Sequence, residues 1–238
     1  MEGIPIEQRE LLERNLAAVR TRVAAALQRA GRPEDACRLV AVTKSVSSEV
    51  TAALLDLGQI DLGESRPEVL IAKRAAIGEA AEGARWHMIG HYQRRKVRDS
   101  LALCDLVHSV HDLPLLEALD RRAGSLNRPV PVLLQVNVAG EDSKQGFNPS
   151  AVSEVLETMG ESPNLEAVGL MTMAPAGLDS APLREVFSSL RSLRDRLATP
   201  DRPLPELSMG MSGDFEEAIL EGSTLVRVGS ALFEGLRN

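Results

Sequence analysis

Eight strand-then-helix units read along the chain predict a (β/α)8 barrel, an α/β fold, with one extra helix ahead of it. Three observations carry this. The apolar period alternates between that of a strand and that of a helix eight times. No Gly-x-Gly-x-x-Gly follows the first strand, as an open dinucleotide-binding sheet would ask. The residues with chemistry in them fall at the C-terminal ends of strands, the face on which barrels carry their sites. The 238 residues contain no Pro/Ser/Gly-rich linker, so one domain over 1–238 is expected, with the extra helix at about 7–30 and the barrel at about 39–238.

Leu11, Leu12, Leu16, Val19, Val23 and Leu27 share one helical face, and Gly31-Arg32-Pro33 stops that helix. Residues 39–43 form a strand of four apolar residues and a threonine. A helix follows from 47 to about 57, with Ser47 or Ser48 as N-cap and Gly58 as its end. A short strand at 60–63 leads to a helix near 67–81. A strand at 86–89 precedes a helix near 92–101, and a strand at 106–110 precedes one at about 113–123. The strongest strand is 130–138, with Pro131 near its start where no ladder donor is needed. Helix 150–160, strand 165–173, helix 181–198, strand 206–209, helix 214–221 and strand 224–228 complete the alternation.

Composition excludes several classes. With 44% hydrophobic and 26% charged residues the chain reads as soluble and globular, and a net charge of −7 argues against nucleic acid or an anionic membrane as partner. The basic run from His91 to Arg98 reads as a solvated helix face. Cys37 and Cys104 belong to no CxxC or Cys/His cluster, so neither a disulfide framework nor a zinc site is expected. No stretch approaches 18 apolar residues, and the start lacks a basic and apolar leader, so a cytoplasmic protein is expected.

Only four of the 27 Lys+Arg are lysines: Lys44, Lys73, Lys96 and Lys144. Lys44 closes the first strand. An amine there can lose its proton and attack a carbonyl, which an arginine cannot do; a strand-end charge reaching for solvent is the alternative. Two turns then follow strands seven and eight. The first is Gly210-Met211-Ser212-Gly213 and the second is Gly229-Ser230. Barrels often hold a phosphate there, on backbone N–H groups and hydroxyls. Ser212 read alone is an N-cap; paired with the neighbouring Gly-Ser turn it points to phosphate. A lysine and a phosphate site across one barrel mouth fit pyridoxal 5′-phosphate. Arg227, at the end of strand eight, is then placed to face the pyridine nitrogen as a permanent cation, with an ion pair in the barrel mouth as the alternative.

The runs Val42-Thr43-Lys44, Gly63-Glu64, Trp86-His87-Met88-Ile89-Gly90-His91, Gln135-Val136-Asn137-Val138, Gly169-Leu170-Met171, Ser208-Met209-Gly210-Met211-Ser212 and Arg227-Val228-Gly229-Ser230-Ala231-Leu232-Phe233 occur in this order. Together they resemble the pyridoxal phosphate homeostasis protein family, single-domain relatives of the alanine racemase N-terminal barrel, over about 39–237. The resemblance implies Lys44 as the Schiff-base lysine. It implies Ser212, Gly229 and Ser230 at the phosphate, with Met211 in the same turn, and Arg227 at the ring nitrogen. It further implies Met173 against one face of the ring, as a soft apolar contact. Ser65 stands where the family has asparagine, Ser230 where it has threonine, and Glu234 is an addition near the end.

Racemisation needs a base on each face of the substrate carbon. The racemases take the second from a tyrosine on another domain, and the lone tyrosine here, Tyr92, reads as a surface aromatic on a helix. The expected function is therefore intracellular buffering or delivery of pyridoxal phosphate to dependent apoenzymes by a monomer without catalysis of its own. A weak amino-acid racemase and a Schiff-base aldolase are the alternatives. His87 and His108 read as strand residues with ordinary hydrogen-bond partners, His91 and His111 do not make a metal site, and Lys144 reads as a loop lysine on the active face.

Overall fold

The computed structural model describes residues 3–141 and 145–236. Helix α1 (Ile6–Arg29) precedes eight strands, β1 (Arg38–Val42), β2 (Asp61–Glu64), β3 (Arg85–Met88), β4 (Leu106–Val110), β5 (Val130–Gln135), β6 (Leu165–Met171), β7 (Glu206–Ser208) and β8 (Leu225–Val228). They are parallel and close in sequence order into a barrel. Between them run α2 (Ser48–Asp56), α3 (Pro67–Ile77), α4 (Val97–Ser100), α5 (Leu113–Ala123), α6 (Val152–Gly160), α7 (Ser180–Leu197) and α8 (Phe215–Leu220). The predicted (β/α)8 architecture and the extra helix are both present.

Local chemistry accounts for the element ends. The Ser47 hydroxyl accepts from the Val50 N–H and so caps α2, and Asp112 does the same for α5 through the Leu115 N–H at 2.7 Å. Gly58, at φ +75°, ends the α2 turn in a backbone conformation that other residues resist. The helix expected near 92–101 is instead one turn of α-helix between two 3-10 turns, Arg94–Lys96 and Leu101–Leu103. Arg94 and Arg98 would repel each other four apart on a regular helix. Tyr92 also turns inward rather than outward. It is 1% exposed, and its hydroxyl meets Ser100 Oγ at 2.7 Å, so the surface reading of this tyrosine is corrected: its ring anchors the segment.

Helix α1 buries Leu12, Leu16, Val19, Val23, Ala26 and Leu27. Arg22 stacks on the Phe215 ring at 4.5 Å and pairs with Glu216 at 2.7 Å, tying α1 to α8. Asn15 donates to the carbonyls of Leu232 and Glu234, just beyond β8. The added helix thus braces the last barrel unit.

Two sets of side chains fill the barrel. Val40, Leu106, Leu133, Met171 and Leu225 form a small apolar cluster apart from the main core. Asp61, His87, His108, Ser208 and Arg227 join in a hydrogen-bonded line. The main core lies outside the strands, against the helices, and includes the fully buried Trp86, whose indole N–H donates to the Ala81 carbonyl.

The β5–β6 ladder slips by one residue between the pairs Val132↔Ala167 and Leu133↔Gly169. Past that bulge Gly169 runs tight against β7, and a Cβ there would stand 1.9 Å from the Glu206 carbonyl oxygen. Gly169→Ala is therefore expected to lower the unfolding free energy by about 2 kcal/mol or more in urea titration; a loss under about 0.5 kcal/mol would contradict this packing.

Candidate functional site

The C-terminal ends of the strands surround one cleft of about 600 Å³. Lys44, Ser65, Met173 and Met211 line it, as do Ser212, Arg227, Gly229 and Ser230. The structure thus brings together all eight residues singled out from the sequence. His91, Gln135 and Gln145 also line it, and sequence reasoning did not assign them there. Lys144 lies outside the described residues.

Lys44 lies two residues past the end of β1 and is exposed at the cleft. Burial is not what distinguishes it; the buried lysine among the described residues is Lys73, at 4% exposure. Lys73 donates to Glu64 Oε1 at 2.7 Å and to the carbonyl of Thr43, while the Thr43 hydroxyl donates to the same carboxylate oxygen at 2.6 Å. Two of these three bonds hold Thr43, the residue immediately before Lys44, and the third ties Lys73 to Glu64, so the base of Lys44 is fixed. The Glu64 Oε2 atom is buried and has no partner among the described residues. No spacing rule in the sequence flags this pair. The only hint was that charged residues occupy positions where a strand end and a helix meet.

The turn after β7 works differently from a simple helix start. Asp214, not Ser212, stands at the N-cap of α8, and its carboxylate accepts from the Met211 N–H. Burial raises the Asp214 pKa, partly offset by that bond and by Arg227. Ser212 instead accepts from the N–H groups of Gly229 at 3.2 Å and Ala231 at 3.4 Å, bridging the turn after β7 to the turn after β8. Gly229 is pressed against β1: a Cβ there would lie 3.2 Å from Val42. The two turns and the lysine strand therefore form one continuous rim.

Arg227 is 4% exposed and faces the cleft from β8. Its Nη1 donates to Ser208 Oγ at 2.5 Å and its Nη2 to the Thr172 carbonyl at 3.0 Å. Neither contact is a carboxylate, so the ion pair considered from sequence is not formed among the described residues. Burial lowers its pKa to about 10, against the charge of Asp214, which leaves it protonated at neutral pH. His87 and His108 have the partners expected of them. His87 Nε2 meets Asp61 at 2.9 Å, His87 Nδ1 meets His108 Nε2 at 2.9 Å, and His108 Nδ1 meets Ser208 Oγ at 2.8 Å. Burial foremost, then His87, Arg227 and Arg38, holds His108 well below the ordinary histidine range. Cys37 and Cys104 are buried thiols pushed up to about 12 by burial, and no metal-holding group of His, Cys, Asp and Glu occurs among the described residues. No helix among those residues is long and apolar enough to cross a membrane.

A closed barrel with this rim belongs to a known class. The pattern of the family described as alanine racemase, N-terminal domain, matches residues 14–236, and the chain belongs to that family. Within it, the chain falls with the pyridoxal phosphate homeostasis proteins. One such protein, from Aquifex aeolicus, is 38% identical over 219 residues, covering 92% of this chain and 95% of that one. Among solved structures, an unknown protein from Bifidobacterium adolescentis superposes with a TM-score of 0.92 at 34% identity, covering 98% of each chain. PipY of Synechococcus elongatus, solved with PLP bound, superposes with a TM-score of 0.82 at 32% identity, covering 93% of this chain and 99% of that one.

Two measurements probe this arrangement. Lys73→Met leaves the Glu64 carboxylate buried without a cation and is expected to cost about 3–5 kcal/mol in urea unfolding. The double variant Glu64→Leu/Lys73→Met should recover much of that loss, because it removes both charges. The stability linked to His108 is complete above its ordinary pKa of 6.5 and should fall as pH drops from there toward the lower folded-state value. A second decline should follow once pH passes below 3.8. Burial raises the Asp61 pKa, but bonds from His87 and Arg85 outweigh that and lower it in the fold. A flat profile in thermal melts from pH 8 to about pH 5 would contradict a buried neutral His108.

Proposed function

We propose that this chain, as one cofactor-binding domain, holds pyridoxal 5′-phosphate as a Schiff base on Lys44 and hands it on to dependent apoenzymes, without catalysis of its own. The observation that carries the reading is the convergence of an exposed lysine, a turn of amides and hydroxyls, and a buried cation on one cleft. When bound, the cofactor supplies an aldehyde, a phosphate and a ring nitrogen. Lys44 offers the amine. The Ser212 and Ser230 hydroxyls offer hydrogen bonds at the junction of two turns, where Gly229, whose N–H already donates to Ser212 Oγ, keeps the rim free of a side chain. Arg227 offers a fixed positive charge, which keeps a facing ring nitrogen from taking a proton and so weakens the ring as an electron sink. Met173 and Met211, both partly exposed at the cleft, offer apolar cover. Ser65 offers a short polar contact on the side of β2. PipY, solved with PLP, supports the choice of ligand.

The carrier reading rests on what surrounds the lysine. Tyr92 cannot serve as a second base, since burial pushes its phenol up and its hydroxyl is engaged with Ser100 inside the core. The cleft stays open to water, which suits uptake and release better than protection of reactive species. We place this activity in the cytoplasm and in a monomer. A weak racemase is the second reading, and it draws on His91, whose ring lines the same cleft and meets Gln145 at 2.8 Å.

The purified protein mixed with pyridoxal phosphate is expected to show the absorption band of a lysine Schiff base, and Lys44→Ala should lose it. Ser212→Ala should weaken uptake by about tenfold, the loss of one hydrogen bond to a charged group. A band that survives in Lys44→Ala sinks the assignment. Formation of D-amino acids at ordinary enzyme rates by the loaded protein, abolished by His91→Ala, would favour the racemase instead.

A further inference from the structure

The line of polar side chains inside the barrel begins at a group that can only donate and ends at one that can only accept. Arg227 has no acceptor atom on its side chain, and an ionised Asp61 has no proton to give. Asp61 is ionised at neutral pH, and Arg85 Nη2 holds its other oxygen at 2.6 Å. Between them stand Ser208, His108 and His87, each bonded on both sides. Ser208 Oγ accepts from Arg227, so its own proton goes to His108 Nδ1. His108 then carries its proton on Nε2 and donates it to His87 Nδ1. His87 in turn carries its proton on Nε2 and donates it to Asp61. The reverse order would leave the Ser208 proton unused and require His87 to carry protons on both nitrogens. Burial of His108 in the middle of the line favours the neutral arrangement.

We propose that Asp61, His87, His108 and Ser208 are positioning residues for Arg227, acting through a hydrogen-bond chain of one fixed direction that sets which way its guanidinium faces. The chain matters for Arg227 because no carboxylate among the described residues pairs with it. Its orientation rests on two oxygens, the Ser208 hydroxyl and the Thr172 carbonyl. The carbonyl is fixed by the backbone. The hydroxyl can rotate, and only its bond to His108 prevents that. Asp61, three links away at the other end of the barrel, thereby decides whether Ser208 presents a lone pair or a proton to Arg227. The groups facing His108 are His87 from β3, Ser208 from β7 and Arg227 from β8, with the charge of Arg38 on β1 also felt there. The chain itself does not depend on the proposed ligand, but its consequence for the cofactor ring rests on the function proposed above.

The test is nitrogen NMR on the full chain with labelled histidine and arginine, first without ligand. Two-bond correlations report which ring nitrogen carries the proton, and His87→Gln and Arg227→Lys assign the signals. The expected result is the Nε2–H form for both His87 and His108 at neutral pH. The two Arg227 Nη groups should be resolved, and they should merge or broaden in Ser208→Ala and return in Ser208→Thr. Asp61→Asn should lose the single Nε2–H pattern and broaden the same Arg227 signals while the protein stays folded. Either histidine found as Nδ1–H or doubly protonated at neutral pH overturns the chain. Arg227 signals unchanged in both Ser208→Ala and Asp61→Asn overturn the positioning role. Pyridoxal phosphate is added last. The spectral pH titration of the loaded protein should shift in Ser208→Ala and be restored in Ser208→Thr, and failure of the wild-type chain to take up the cofactor would count against the proposed function alone.

Discussion

Four register pairs, from Arg38↔Leu225 to Ala41↔Val228, join the first strand to the last and close the barrel. The candidate site follows from that seam. Lys44 and the Gly229-Ser230 turn lie more than 180 residues apart in sequence, yet they emerge side by side because β1 and β8 are neighbours. The packing is close enough that a Cβ at position 229 would stand 3.2 Å from Val42, tighter than an ordinary contact. Ser212 extends the seam by one strand, since its hydroxyl gathers the amides of the β8 turn. An open sheet with the same strands would place these residues on opposite edges.

Much of this was legible in the sequence because it depends on periodicity and punctuation. Helix α5 and strand β4 have the boundaries their apolar patterns indicate, and all eight strands appear in order, with a helix after each of the first seven. That the candidate residues share one cleft was legible because barrel geometry turns a position along a strand into a position in space: any residue just past a strand end lies on the mouth. What could not be read were the relations set by side-chain direction across elements. Tyr92 looked like a surface aromatic because its neighbours are basic, and nothing local says that its ring turns inward to Ser100. Lys44 drew attention as a possible buried amine, whereas the buried amine among the described residues is Lys73. That lysine is held by Glu64 and the Thr43 carbonyl, contacts between helix α3 and two strands that no spacing along the chain announces.

The polar interior adds a further constraint. Barrels usually fill their centre with branched apolar side chains in layers. Here an apolar cluster of Val40, Leu106, Leu133, Met171 and Leu225 shares the space with two histidines, a serine, an aspartate and an arginine. Buried polar groups of this kind are costly unless every one finds a partner. The line from Arg227 to Asp61 meets that condition, and it does so with a cation at one end and an anion at the other. The Glu64–Lys73 pair meets it less fully, with one carboxylate oxygen left over. The interior therefore carries a fully partnered polar axis, whereas the ion pair in the shell around it keeps one carboxylate oxygen without a partner among the described residues.

The scarcity of lysine has a chemical consequence of its own. Aldehydes condense with any accessible primary amine, and ordinary protein surfaces offer many. This surface carries its positive charge on guanidinium groups, which do not form such adducts under mild conditions. Of the lysines described, Lys73 is sealed between α3 and the barrel and Lys96 is half-covered, so Lys44 is the exposed one, at the cleft. A reactive carbonyl meeting this protein finds few competing amines. Selectivity of attachment is thus written into the composition of the whole surface as well as into the shape of the site.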